Sequence, residues 1–329
     1  MTVTLTRFQL CRLLLRFAAG LVLLACGAAH GQYPSRPVRI IVMIPPGGAP
    51  DIVARVIGEK LTTDLGQPFV IENRAGANGN IAGEMVARAA PDGHTLLLAA
   101  DSLITINPHL YPAMSFSTLD DLAPVATLGS NQFVLSVHPS VPAKNLREFI
   151  DHARRANPPL NYASGGNGSQ HQIAMELLKS RAGINLVHVP YSGGSPATLA
   201  TVAGEVAVMF AGSSTAGQIK AGKLRALAVT GAARSSDFPD LPAIAEMYPN
   251  YEVTIWIGLF APAHTPASVL NSLRTEINRT LALPEFKARL NAAGGLTPYV
   301  TTLVEFSSLI RRDHTRYGKL VKETGIKPD

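Results

Sequence analysis

Twice in this chain a strand-like run breaks off at a cluster of small residues and continues as a helix. The first is Ile40-Ile41-Val42-Met43-Ile44, which enters Pro45-Pro46-Gly47-Gly48-Ala49-Pro50-Asp51. The second is Leu160-Asn161-Tyr162, which enters Ala163-Ser164-Gly165-Gly166-Asn167-Gly168-Ser169. A near-continuous β-branched run marks a strand buried on both faces of a sheet with helices packed against it. A glycine turn between strand and helix brings bare N–H groups to the helix start, where the dipole favours an anion. Two such turns more than a hundred residues apart point to two α/β lobes closing on one small acid, a binding site with no obvious catalyst.

Residues 1–31 read as a cleavable signal peptide. Arg7 and Arg12 precede Leu13-Leu14-Leu15, the apolar stretch continues past Arg16 through Leu21-Val22-Leu23-Leu24-Ala25, and small residues follow. The stretch is too short and too broken to span a bilayer. Cleavage after Gly31 leaves Gln32 first; the alternative is a lipid anchor on Cys26, which the bulky Leu24 disfavours. Both cysteines, Cys11 and Cys26, lie in this leader, so the exported chain is expected to have no disulfide, thiol nucleophile or cysteine metal site. Losing the leader takes three arginines and no acid, lowering the formal charge from +6 to +3. A mildly basic surface without a Lys/Arg run is not a nucleic-acid footprint.

The remaining 298 residues suffice for two lobes of about 100–150 residues each. Val38–Ile44 and Phe69–Glu72 read as strands, with Ile52, Val53, Val56, Ile57 and Leu61 at helical spacing between them. Strand and helix keep alternating through Thr95–Ala100 and, after a break at Pro124, from Gln132 to Phe210. This pace predicts an α/β fold in which each lobe is a mostly parallel sheet flanked by helices. Residues 32–130 with 250–329 form lobe one, and 131–249 an inserted lobe two. Leu224–Val229 is expected to return toward lobe one, and the helices after Ala267 to pack on it.

Gly47 and Gly48 either let a ligand's oxygens approach backbone amides or serve a tight turn needing positive φ. Asp51 reads as a first-turn acid supported by Arg55, because a carboxylate facing an anion would repel it. Ser164 to Ser169, with three glycines in four residues among Ser and Asn donors, makes an anion nest. Three or four charge-assisted hydrogen bonds of about 1.5–3 kcal/mol each match the scale of a micromolar ligand, about −8 kcal/mol. A third strand-to-helix turn is Tyr191-Ser192-Gly193-Gly194-Ser195-Pro196, where Tyr191 either covers the ligand or packs at the hinge. Ser102, Ser213 and Ser214 end further strands, the place where open α/β sheets bind ligands. His171 and His188 are the histidines suspected near the cleft. Enzyme motifs fail: Gly212 to Gly217 has P-loop spacing with Gln218 in place of Lys, and there is no G-x-S-x-G or H-E-x-x-H. No catalytic residue, metal ligand or cofactor is expected.

Further segments carry a family likeness: Tyr33-Pro34-Ser35-Arg36-Pro37-Val38, Glu72-Asn73-Arg74-Ala75-Gly76, Ala90-Pro91-Asp92-Gly93-His94-Thr95, Val189-Pro190-Tyr191-Ser192-Gly193-Gly194, and Trp256 with Gly258-Leu259-Phe260-Ala261-Pro262. Together with both glycine turns they resemble the extracytoplasmic solute receptors of tripartite tricarboxylate transporters, the Bug family, over nearly all of the exported chain. The resemblance implies a two-lobed, type II periplasmic-binding-protein-like clamp. Gly47, Gly48 and Ala49 would form one jaw, and Ser164, Gly165, Gly166, Asn167, Gly168 and Ser169 the other, with Ser102, Tyr191 and Ser213 beside them. It implies a small organic acid as ligand (dicarboxylate, tricarboxylate, amino acid or aromatic acid), transporter membrane subunits as partner, and a periplasmic monomer. The chain departs from the pattern at Pro50, which lacks an N–H, at Gln172, where relatives often carry His, and at Ala207 and Ala211. Two other functions compete: a ligand sensor for a signalling partner, and an exported hydrolase or isomerase, which would need a general base beside the acid.

Overall fold

The structure is a computed structural model that describes residues 33–326 except 213, 214, 236 and 295. The expected leader, its cleavage at Gly31, the Cys26 alternative and Ser213 lie outside the described residues. Along the chain run β1 (Val38–Val42), α1 (Ala49–Leu65), β2 (Phe69–Asn73), α2 (Asn80–Ala87), β3 (Thr95–Ala100), the short α3 (Asp101–Thr105) and α4 (Asn107–Leu110), and β4 (Leu122–Gln132). The chain then builds a second sheet with β5 (Val134–Val137), α5 (Leu146–Arg155), β6 (Asn161–Ser164), α6 (Gln170–Ala182), β7 (Val187–Pro190), α7 (Gly194–Val202), β8 (Val208–Ala211), α8 (Ala216–Lys220) and β9 (Arg225–Val229). It returns as β10 (Thr254–Pro262), α9 (Ala267–Leu281), α10 (Pro284–Gly294), β11 (Thr297–Pro298) and α11 (Leu303–Thr324).

The larger sheet has the order β11-β4-β10-β3-β1-β2 and the smaller β7-β6-β8-β5-β9. Both are mixed where a mostly parallel arrangement was expected. In the larger sheet β1 is parallel to β2 and β3, but β10 is antiparallel to β3 and β4, as is β11 to β4. In the smaller, β6 is parallel to β7 and β8, whereas β5 is antiparallel to β8 and β9. The reason is connectivity: a chain that leaves one sheet on β4 and re-enters it on β10 must run through that sheet in both directions.

Two segments correct the sequence reading. β4 was not foreseen, because Pro124 and Gly129 punctuate it and proline is normally confined to sheet edges and bulges. Here Pro124 sits opposite Phe260 at a shift of register with β10, a bulge that accommodates it. Arg225–Val229 does not return to the larger sheet; it is the edge strand of the smaller one, antiparallel to β5.

The β-branched run of β1 is buried on both faces, as its composition implies. Val38, Ile40 and Val42 join a layer with Val53 and Ile57 of α1 and Leu273 and Ile277 of α9. Ile41 joins the opposite layer with Val86 of α2 and Phe306 of α11. α11 crosses between lobes: Phe306, Leu309 and Ile310 belong to the larger lobe's core, and Tyr317, Leu320 and Val321 to that of the smaller. Where the chain crosses, Thr230 ties both passages together. Its hydroxyl accepts from Phe133 N–H (2.9 Å) and donates to Val253 C=O (2.5 Å), and its N–H donates to Phe133 C=O (3.0 Å). No described helix is long and apolar enough to cross a membrane.

Candidate functional site

The first jaw follows from how β1 turns into α1. Gly47 takes φ +89°, a left-handed conformation that favours glycine. Asp51, 2% exposed, gathers the turn beneath it. Its carboxylate accepts from Gly47 N–H (2.9 Å), from Arg55 (2.9 and 3.1 Å) and from Asn73 Nδ2 (2.9 Å). Burial raises this carboxyl, but the bonds from Arg55, Gly47 and Asn73 outweigh it and hold it below the usual range. Gly47 N–H is therefore committed inside the protein. The donors that helix geometry leaves over are the first-turn N–H groups of Ala49 and Asp51, since Pro50 has none.

The second jaw is built the same way by different residues. Ser164, fully buried at the end of β6, accepts from Gly166 N–H (3.1 Å) and lies 2.6 Å from His188 Nε2. Gln172 Oε1 accepts from Gly168 N–H (2.7 Å), and Ser169 Oγ caps α6 by accepting from Gln172 N–H (3.4 Å). With Ser169 N–H donating to Gly166 C=O (3.1 Å), three of the loop amides are used to fold the loop, and the first-turn N–H groups of Gln170 and His171 remain for a ligand. A third helix start, α7 after Gly193, presents Gly194 and Ser195 in the same way.

These three helix starts meet at one cavity of about 110 Å³ between the lobes. Of the sequence-predicted residues, Gly48, Ala49, Ser102, Gly165 and Ser169 line it. Gly166, Asn167 and Tyr191 line an adjoining opening of about 450 Å³ that also touches Gly165. Gly47, Ser164 and Gly168 line neither and act on the shape of the loops. Sequence reasoning missed Phe133 and Ile255, which enter from the crossing strands and carry no local signal, and Asn78, Gln170 and Thr198. His171, suspected, is in the wall. Burial lowers its imidazole to about 4, so it is neutral; its ring lies 4.5 Å from that of Phe133.

The clamp is closed. Ser195 Oγ donates to Gly47 C=O (3.2 Å), Tyr111 Oη donates to Asn167 C=O (3.0 Å), and Gln170 Nε2 donates to Asp101 Oδ2 (2.5 Å). Asp101 is fully buried. Burial first, then the nearby Asp313, pushes its carboxyl well above the usual range. Its Oδ1 and Gln170 Oε1 have no partner among the described residues, and a protonated carboxyl supplies the donor this pair otherwise lacks. Asp313 itself accepts from Trp256 Nε1 (2.9 Å) and Arg312 Nε (3.2 Å).

Two features outside the cavity invite other readings. Ser164 and His188 are close enough for a nucleophile and its base, but Ser164 is sealed from solvent and its oxygen holds the loop. On the second ring nitrogen, His188 meets the Gln172 amide at 3.3 Å, not a carboxylate. A larger opening of about 590 Å³ includes Arg234 and Arg312. Their charges are matched by Glu246 at 2.8 Å and Asp313 at 3.2 Å. Among the described residues no group of three or more His, Cys, Asp or Glu is placed to hold a metal ion.

Residues 53–326 match a family model described as the tripartite tricarboxylate transporter family receptor. Protein BugT of Bordetella pertussis is 34% identical over 309 residues, 92% of this chain and 94% of BugT. Two solved structures superpose over most of the chain. R. palustris Rpa4515 with adipate has a TM-score of 0.85 at 30% identity, covering 90% of this chain and 100% of the other. MatC (Rpa3494) from Rhodopseudomonas palustris with bound malate has a TM-score of 0.80 at 31% identity, covering 88% and 100%.

Proposed function

Because the chain belongs to the receptor family of tripartite tricarboxylate transporters, we propose that it closes two lobes on a small organic carboxylate in the periplasm and delivers it to that transporter's membrane subunits. The observation that carries this reading is the meeting of three helix starts on one cavity whose described lining holds no charged side chain. An anion there is held by N–H groups and helix dipoles, with no cation needed. Relatives solved with adipate and malate support the same ligand class.

In this reading residues 131–249 form the lobe that swings, and residues 32–130 with 250–329 the lobe it closes on. The Thr230 knot is the hinge, and α11 is the strap that both lobes share. The jaw-to-jaw bonds of Ser195 and Tyr111 form on closure, so the ligand enters and leaves only from an open form. The receptor works as an exported monomer, freed of its leader, and does no chemistry: the Ser164–His188 pair is turned away from the acid. Thermal unfolding with a panel of organic acids and their matched amides tests this. A ligand at a hundred times its Kd adds about 2.7 kcal/mol. A raised melting temperature with an acid but not with its amide is expected; equal response to both, or to neither, contradicts the carboxylate clamp.

A further inference from the structure

The helix starts provide for one carboxylate, and the rest of the wall says what the remainder of the ligand is. One part is apolar: Met43, Ile44, Ala100, Phe133 and Ile255. Four polar side chains in the wall donate to the protein, while Gln170 Oε1 and His171 Nδ1 have no partner among the described residues. Asn78 Nδ2 donates to Asn107 Oδ1 (2.7 Å) and Gln170 Nε2 to Asp101 (2.5 Å). Ser195 Oγ donates to Gly47 C=O (3.2 Å) and Thr198 Oγ1 to Gly194 C=O (2.9 Å). No Lys or Arg is in the described lining. Two carboxyls adjoin lining residues in sequence, Asp101 before Ser102 and Asp51 after Pro50. An ionised group buried without a countercharge or a full set of donors is strongly disfavoured.

Resting on the receptor function proposed above, we infer that the ligand is a monocarboxylate whose remaining body is uncharged and apolar, seated between Phe133 and Ile255, and that diacids and triacids are selected against. The carboxylate takes the N–H groups at the starts of α1, α6 and α7. The body takes the face made by Phe133, the His171 ring and Ile255.

Titration calorimetry on the purified protein with diacid and monoacid partners decides this: pentanoate against glutarate, and benzoate against terephthalate. The tightest ligand of the four is expected to be a monoacid that binds at least tenfold more tightly than its diacid partner. A smaller preference, or a diacid as the tightest ligand, overturns the inference and leaves the receptor reading standing. If none of the four binds, the inference falls, and the acid-versus-amide panel then decides the receptor reading separately. A second measurement uses Ile255→Lys, which places a cation in the apolar wall. If the variant melts within a few degrees of the parent, it should raise the glutarate-to-pentanoate affinity ratio at least tenfold. A smaller rise overturns the assignment of Ile255 to the apolar end; an unfolded variant leaves the decision to the parent protein.

Discussion

The two jaws reach one result by different means. In the first, one buried acid holds the turn: Asp51 binds Gly47 N–H, Asn73 and Arg55 at once. In the second, three neutral side chains share the task, Ser164 and Gln172 gripping loop amides while Ser169 caps the helix. The first jaw therefore has a carboxylate below the site yet presents none to the ligand, and Pro50 removes one of its first-turn donors. The second is built without a charge. The difference teaches that glycine richness serves the loop first: Gly47 and Gly168 each use their amide internally, and the ligand is left with the helix starts.

The largest break in this comparison is Ser169→Asp. Aspartate caps a helix as well as serine, so α6 should persist, but its charge faces the cavity. A loss of acid affinity of about a hundredfold or more, some 2.7 kcal/mol, is expected in titration calorimetry with little change in melting temperature. Retained affinity would sink the second jaw's role. Next comes Asp51→Ala, which should lower unfolding stability by about 2 kcal/mol, read by denaturant titration. Most of that comes from the Gly47 and Asn73 bonds, because Arg55 is half-exposed and its ion pair is screened. A change under about 0.5 kcal/mol would show that the turn holds without its acid.

The junction of the jaws carries a pH signature. The fold holds the Asp101 proton more tightly than the unfolded chain does. Its stabilising contribution is therefore full below the unfolded value near 4, and is lost as pH rises through the raised folded value. Asp101→Asn keeps both hydrogen-bonding edges and cannot ionise. It should raise the melting temperature relative to the parent more at pH 8 than at pH 4; equal differences at both would mean that Asp101 does not titrate this way. The smallest effect belongs to Ser195→Ala, which removes one bond between jaws, worth about 1 kcal/mol. Acid affinity should fall about fivefold, with no change in unfolding by denaturant in the absence of ligand. Unaltered affinity would mean the contact does not favour closure.

Much of this was legible in the sequence where one local pattern decides. The strand β1 and helix α1 announce themselves by a β-branched run followed by helical spacing, and α11 by its length. Both glycine turns and the third at Gly193 are visible as motifs, and so is the Asp51–Arg55 spacing. What stayed hidden depends on distant partners. β4 is a strand only because β10 pairs with it through a bulge at Pro124. Which amides remain for a ligand depends on Asp51 and Gln172 reaching back four residues. Phe133 and Ile255 become the floor of the site only when two crossing strands, more than a hundred residues apart in sequence, run side by side.

The most direct measurement is a crystal structure of the protein with the tightest acid from the panel. The account predicts carboxylate oxygens within about 3.2 Å of first-turn N–H groups of α1, α6 or α7, from both lobes at once, with the body of the acid against Phe133. A carboxylate held by an arginine or lysine side chain, or bound to a single lobe, would contradict it.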